Sequence, residues 1–523
     1  MINRYTLLSF FMLLLVTFTL MQSNVFAQGV TTAAMNGIVV DSKGDPLPGA
    51  NILAVHTPSG TQYGTTSRVD GKYNLNGLRT GGPYKVTVSF VGYKPQVFEG
   101  QNLQLGQNAK LDYTLYEEAV ELGDITVVGD KNAVISSNRT GAGQNVTAKD
   151  IELLPTINRS FQDFAKLSPQ SSGNSSSFAS RNNRYNNIQI DGTQYNDIFG
   201  LGASGTPGGQ SGTTPISLDA IDQFQVVVAP YDVKYGGFTG GGINAITRSG
   251  TNKFKGSLYG FGRNESLIGD GTYITDNPAT SNNEQKYPEF KEYQYGFRLG
   301  GPIVKDKLFF FVSGEIAARD LPLSNISLST GADTLKTLAS RFEQILKDQG
   351  MDPGTQDAFT TEQPSNKFFI RLDLNQSENH KITLRHNYVG AYRDILDGRN
   401  SNNTLSFSTL AYRIRNVTNS TVLQINSTNN ENISNEFILG FTSIRDRRAG
   451  ITEARPEIRV FESAGTLIAG PDRFSSANEL DQDILELTDN LSFFAGDHVI
   501  TVGTHNEFFS FRNLFMRSVY GYY

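Results

Sequence analysis

The chain has 523 residues, a net charge of −6, 52 glycines, 34 Phe and 22 Tyr, and neither Cys nor Trp. Missing cysteine excludes disulfides, thiol nucleophiles, Fe–S clusters and thiolate metal sites, and the lack of a basic stripe argues against nucleic acid as a partner. High glycine and aromatic content with 18% charged residues fits an all-β membrane protein better than a soluble α/β enzyme.

The first 27 residues carry Arg4, an apolar run from Leu7 to Leu20 and the triplet Val25-Phe26-Ala27. This is the layout of a secretory signal peptide cleaved after Ala27. No later run approaches the length of a membrane helix. The mean hydropathy of −0.32 remains compatible with membrane strands, in which polar and apolar residues alternate.

Residues 28–115 read as short strands at Gly37–Asp41, Ala50–Val55, Gly71–Leu75 and Tyr84–Val91, separated by turn signals at Ser42–Pro46 and Val69–Lys72. That spacing predicts a small β-sandwich. The stretches GIVVDSKGDPLPGANI, VDGKYNLNGL and YKVTVSFVGYK resemble the carboxypeptidase-regulatory-like domain. The resemblance implies a seven-stranded, prealbumin-type sandwich of the carbohydrate-binding-like kind, without catalytic residues. Such a module serves either as a periplasmic interaction domain or as a spacer.

Residues 116–137 form a linker containing YEEAVELGDITVVG. Within it Asp124, Ile125, Thr126, Val127 and Val128 make a short, β-branched run behind an acidic lead-in, which resembles a TonB box. An extended segment of this kind can add as a strand to the sheet edge of a partner.

Residues 138–250 resemble the plug domain of TonB-dependent outer-membrane receptors. Val146–Asp150 and Ile151–Leu154 read as a short helix stopped at Pro155, and Phe161, Phe164 and Leu167 fall at helical spacing behind a Ser160 or Asn158 cap. The alternating strand from Asn187 runs into a turn at Asp191 and Gly192, and resembles the IDG strand of that family. Gly200–Gly212, rich in Gly, Ser and Pro, reads as a mobile loop at a ligand-facing apex. The closing stretch has a β-branched run at Gln225–Ala229, a glycine-dense turn at Gly236–Gly242, a second run at Ile243–Thr247 and a stop at Arg248-Ser-Gly. Glycine at that density is expected where φ is positive or backbones approach closely.

From residue 251 the period is two. Tyr293, Tyr295, Phe297 and Leu299 alternate with Gln294, Gly296 and Arg298; Ile382, Leu384 and Tyr388 alternate with Lys381, Thr383, Arg385 and Asn387. That is the lipid-out, lumen-in pattern of a membrane barrel strand. Similar strands are expected at Lys253–Arg263, Lys307–Ile316, Lys367–Leu374, Asn416–Asn426, Asn435–Arg445, Ile484–Phe494 and His498–Phe508, nine in all. The connectors Ser266–Pro288 and Leu321–Asn366 fit extracellular loops. The second holds a helix at Thr334–Gln349 with Leu335, Leu338, Phe342, Ile345 and Leu346 on one side. An odd strand count, and a plug too large for so small a ring, imply that residues 251–523 are the N-terminal part of an incomplete barrel.

The five histidines show no helical i,i+4 pair, and neither a P-loop nor a G-x-S-x-G elbow occurs. No catalytic residue, metal site or cofactor is expected, and the chain does not read as an enzyme. The fold class is mainly β: an N-terminal sandwich, an α+β plug and the first part of a transmembrane β-barrel. The whole resembles the Oar-like TonB-dependent receptors, related to the SusC-like nutrient importers. It implies a barrel of roughly 22 strands in the outer membrane, a periplasmic sandwich and coupling to TonB with ExbB and ExbD through Asp124–Val128. It further implies import of a siderophore, oligosaccharide or peptide, with a SusD-like lipoprotein as a further partner. The rival reading is a non-transporting adhesion or surface-structure protein. The mature chain is expected to begin at Gln28; mass spectrometry that finds Leu7–Leu20 intact in the exported protein would refute this.

Overall fold

The computed structural model describes residues 30–523 apart from 119–126, 129–141, 155, 157–158, 173–176, 203, 231, 269–270, 273–283, 286–288, 324–331, 358, 397–403, 430 and 497. The expected signal peptide and the segment 124–126 therefore lie outside the described residues.

The sandwich comprises β1 (Ala33–Val40), β2 (Asn51–His56), β3 (Thr61–Thr66), β4 (Lys72–Leu78), β5 (Gly81–Ser89), β6 (Gln96–Leu103), β7 (Asn108–Lys110) and β8 (Tyr113–Thr114). One sheet runs β4-β1-β7, with β8 also pairing β1; the other runs β3-β2-β5-β6 and continues to β9, Val127–Val128 from the linker. Alternation along each strand turns Met35, Val39, Ile52, Ala54, Tyr84 and Val86 into the shared core, and each large apolar side chain so buried contributes about 1.5–3 kcal/mol. The sandwich exceeds the expected seven strands because β7 and β8 both pair with β1 in parallel. Strand β3, TQYGTT, has no apolar run, yet it alternates all the same and buries Thr61, Tyr63 and Thr65.

The plug is a mixed sheet of β10 (Ala142–Thr147), β11 (Asn187–Ile190), β12 (Thr193–Gln194), β13 (Ile221–Val228) and β14 (Gly242–Thr247), in the order β10-β13-β14-β11-β12. Helix α1 (Ala148–Leu153) starts from a capping box, in which the Thr147 hydroxyl accepts from Asp150 N while the Asp150 carboxylate accepts from Thr147 N. Helix α2 (Phe161–Ala165) is capped by Ser160 and buries Phe161 and Phe164; it ends before Leu167, which is exposed rather than on the buried face. The glycine-dense turn is explained by close approach. A Cβ at Gly241 would sit 2.6 Å from the Phe178 ring, and one at Gly250, where the chain leaves the plug, 2.4 Å from the Phe310 carbonyl oxygen.

Nine long antiparallel strands follow: β15 (Lys255–Asn264), β16 (Lys291–Val304), β17 (Leu308–Leu323), β18 (Ser365–Asn375), β19 (His380–Ile395), β20 (Tyr412–Asn429), β21 (Ile433–Gly450), β22 (Ala477–Ala495) and β23 (His498–Leu514). Each pairs with the next in sequence, and among the described residues β15 and β23 are the two edges of the sheet. All nine expected strands are present, most of them longer than the period-two signal alone indicated. Tight turns join the strands at one end and long connectors at the other. There α3 (Ala332–Asp348) packs Leu335, Ala339, Phe342 and Leu346 against Leu405, Phe407 and Leu467. It closes in a Schellman motif, with Gly350 at φ 76° and Met351 N donating to Leu346 O at 2.8 Å. Ile345, expected on the packed side, is exposed.

His56 ends β2 in the sandwich core, 2.7 Å from Ser59 Oγ and stacked at a tilt on Tyr84. Burial, with Arg79 and Lys255 adding, pushes its imidazole from 6.5 down to about 3. The unfolded chain therefore takes up a proton that the folded sandwich refuses, and stability falls as the pH drops from about 6.5 towards 3. In denaturant titrations the wild type is expected to lose about 1.4 kcal/mol per pH unit more than His56→Asn across that window; equal slopes would show that His56 is not buried neutral.

Candidate functional site

The lumen-facing side of the sheet, whose nine long strands are joined by a short tenth at Phe359–Glu362 paired with β17, meets the plug along a polar seam. Period-two alternation sends Lys367, Phe369, Arg371 and Asp373 of β18 and Thr383, Arg385 and Asn387 of β19 inward, while Phe368, Leu384 and Tyr388 remain exposed on the outer face.

The centre of this seam is the β11–β12 turn. Asp191 and Gly192 both have positive φ, 48° and 77°, as a two-residue hairpin requires. The Asp191 carboxylate accepts from Thr247 N and Thr247 Oγ1, each at 2.9 Å, which ties the turn to the last residue of β14. It also pairs with Arg385 Nε at 2.6 Å and lies 3.6 Å from Arg371 Nη1. Arg385 is only 1% exposed. Its remaining N–H groups donate to Ile190 O at 2.7 Å, Thr193 Oγ1 at 2.9 Å and Tyr195 Oη at 3.3 Å, so one guanidinium from the wall reads the whole hairpin. Arg371 donates to Thr247 O and Oγ1 and grips Asp373 through Nε and Nη2. Asp373 in turn accepts from Thr383 and lies 3.2 Å from Arg79 Nη2 of the sandwich. A cavity of about 80 Å³ is lined by these groups, among them Arg79, Asp191, Asp222, Arg371 and Asp373. Burial raises the carboxyl of Asp222 on β13 above its ordinary range, against the pull of Arg248, Arg371 and Arg79.

Further contacts extend the seam. Glu315 of β17 pairs with Lys367 at 2.7 Å and accepts from Ser217 and Tyr259. Asn387 donates to Pro215 O, and Thr213 Oγ1 lies 2.7 Å from Ser365 Oγ. Residues 204–212 of the stretch read as a mobile loop instead pack against the wall: Gln363 donates to Gly212 O, Arg448 to Gln210, and Thr206 and Ser211 are buried. The loop's glycines at φ near 70° make that packing possible.

On β22 and β23, Glu486, His505 and Glu507 bring ligand atoms within 4.8 Å of one another, the only such group among the described residues. Glu486 accepts from Gln194 N of the plug, and His505 bridges Thr488 and Glu507. A search for helical i,i+4 pairs misses this group, because in a strand residues 505 and 507 share a face and Glu486 is the cross-strand partner of Glu507. Of the TonB-box-like residues, Asp124, Ile125 and Thr126 lie outside the described residues. Val127 and Val128 pair in parallel with Phe98 and Glu99 of β6.

Residues 34–116 match the carboxypeptidase regulatory-like domain and residues 246–363 the outer membrane beta barrel domain. Over 302 residues, 55% of this chain and 27% of the relative, it is 28% identical to the TonB-dependent transporter Oar of Myxococcus xanthus. Over 152 residues, 29% of this chain and 13% of the relative, it is 29% identical to the TonB-dependent receptor SusC of Bacteroides thetaiotaomicron. The chain is a homologue of TonB-dependent receptors. With its barrel domain it resides in the cell outer membrane. The matched parts span about a quarter of Oar and less of SusC. Among solved structures, the outer membrane transporter YddB from Escherichia coli is 15% identical with a TM-score of 0.48, covering 70% of this chain and 48% of that one.

Asp191→Ala would strand the buried Arg385 guanidinium, and removing one partner of a buried pair costs roughly 3–5 kcal/mol. Asp191→Ala is thus expected to lower the denaturation midpoint strongly, and Asp191→Asn less. In the double variant Asp191→Ala/Arg385→Met most of the loss should be recovered. Additive losses in that cycle would show that the two side chains do not interact.

Proposed function

We propose that the chain acts in energy-coupled import across the outer membrane, with the plug closing the pathway and the linker receiving the pull of TonB. The observation that carries this reading is the plug held inside the strand sheet by a polar seam, with the box-like segment 124–128 just ahead of β10. Because β10 is an edge strand of the plug sheet, a pull on the linker loads it from its N-terminal end and opens its pairs with β13 one at a time. Polar contacts are the right kind to break reversibly. Water entering the seam solvates Asp191, Arg371 and Arg385 as they part, whereas an apolar seam would have to expose its surface to water. The cargo class is a siderophore, oligosaccharide or peptide met by the long connectors and residues 200–212, with a SusD-like lipoprotein as a partner on that side. Homology to transporters and receptors favours this over a catalytic role.

Segment 124–128 works, on this reading, as a strand added to TonB, and proline removes a backbone donor from such pairing. Val127→Pro is expected to abolish energy-dependent uptake while leaving outer-membrane assembly intact, with no structural loss beyond the two-residue pairing of β9 with β6. Unaltered uptake in that variant would remove 124–128 from the mechanism and favour a surface-structure protein.

A further inference from the structure

We infer that the sandwich is a clasp that holds the plug shut and must leave its seat before the plug can move; this rests on the reading that force enters through 124–128. The sandwich touches both of the parts that would have to separate. On the barrel side it meets the tight-turn end of the sheet at several places. Thr31 Oγ1 donates to Glu436 and accepts from Gln424, both at 2.6 Å, Asn76 Nδ2 donates to Ser434 Oγ at 3.2 Å, and Asn375 Nδ2 donates to Thr61 Oγ1 at 3.0 Å. Arg68 donates to Gly496 O at 3.1 Å.

On the plug side, the 104–106 loop lies across the strands that a pull would open. Leu105 N donates to Gln223 Oε1 on β13 at 2.9 Å, and Asn145 of β10 donates to Gln104 Oε1 at 3.0 Å. Edge strand β10 thus has a sandwich loop hydrogen-bonded to it and cannot be peeled while that loop stays in place. Arg79 joins the two sides. Its guanidinium, mostly buried, reaches Asp373, which holds Arg371, which donates to Thr247 beside Asp191. Removing the sandwich takes one positive charge from this cluster and frees Asp373 to attract Arg371 alone, which loosens the grip of Arg371 on the plug.

The linker supplies the geometry for release. After β8 it returns to the sandwich edge as β9, paired with β6, before it enters the plug at β10, so a pull at 124–128 acts on the sandwich as well as on the plug. Seat contacts are chiefly isolated hydrogen bonds, which water replaces as the surfaces part. The plug seam is deeper and more extensive, so the sandwich gives way first.

The chain contains no cysteine, so introduced pairs report without background. Asn76→Cys with Ser434→Cys spans the sandwich seat; Thr213→Cys with Ser365→Cys spans the plug seam. Each pair is closed with a short thiol crosslinker in cells of intact energy supply and in cells treated with a protonophore. Both pairs are expected to crosslink at rest and to lose yield several-fold on energisation. Arg79→Ala, or Arg79→Gln if that variant does not assemble, should lower the resting yield of the seat pair several-fold and that of the seam pair by less. A seat pair that fails to crosslink at rest, or keeps its yield while the seam pair loses it, overturns the clasp and leaves the import reading standing. A seam pair indifferent to energy sinks the import reading itself, and the clasp with it.

Discussion

The buried pair of Asp191 and Arg385 sets the terms for the rest of the structure. A guanidinium at 1% exposure is tolerable only when its charge is met and its N–H groups are accepted. The barrel wall cannot meet it alone, because period two sends its neighbours Thr383 and Asn387 inward beside it and the charged groups of β18 are already shared. The plug provides what is missing through one tight hairpin: the carboxylate of Asp191, the carbonyl of Ile190 and the hydroxyl of Thr193. The left-handed backbone at Asp191 and Gly192 places all of these on one side.

A seam of this composition has a mechanical consequence. Its apolar part is small, chiefly Phe311 and Phe369 of the wall joined to the plug core. Most of the remaining contacts are ion pairs and hydrogen bonds that lose little net free energy when water takes the partner's place. The plug is therefore well located without being irreversibly bound, as the proposed import role requires. The sandwich core, by contrast, is apolar and self-contained, so that domain can shift as a body without unfolding.

Much of the architecture is legible in the sequence. The nine wall strands follow from alternation alone, since a one-residue slip would put Arg385 or Asp373 into lipid. Helix α3 follows from the 3.6 period of Leu335, Phe342 and Leu346, and the Asp191-Gly192 turn from residue chemistry. Strand β3 was not legible because its alternation is carried by Thr and Tyr rather than by aliphatic residues. The packing of 204–212 was hidden because glycine and serine mark a mobile loop and a close-packed one equally. The candidate site itself was half legible: Asp191 was singled out as a turn residue, but its partner lies on β19, far along the chain, and no local pattern links the two. The cluster of Glu486, His505 and Glu507 was missed for a similar reason, being assembled by strand register.

The central claim is that the linker takes the pull of TonB at residues 124–128. Its most direct test is site-specific photo-crosslinking from a benzophenone side chain at Ile125 in living cells. The account predicts covalent capture of TonB, strongest when the cells are energised. Failure to capture TonB from any position between 124 and 128, in cells where another receptor captures it, would contradict the account.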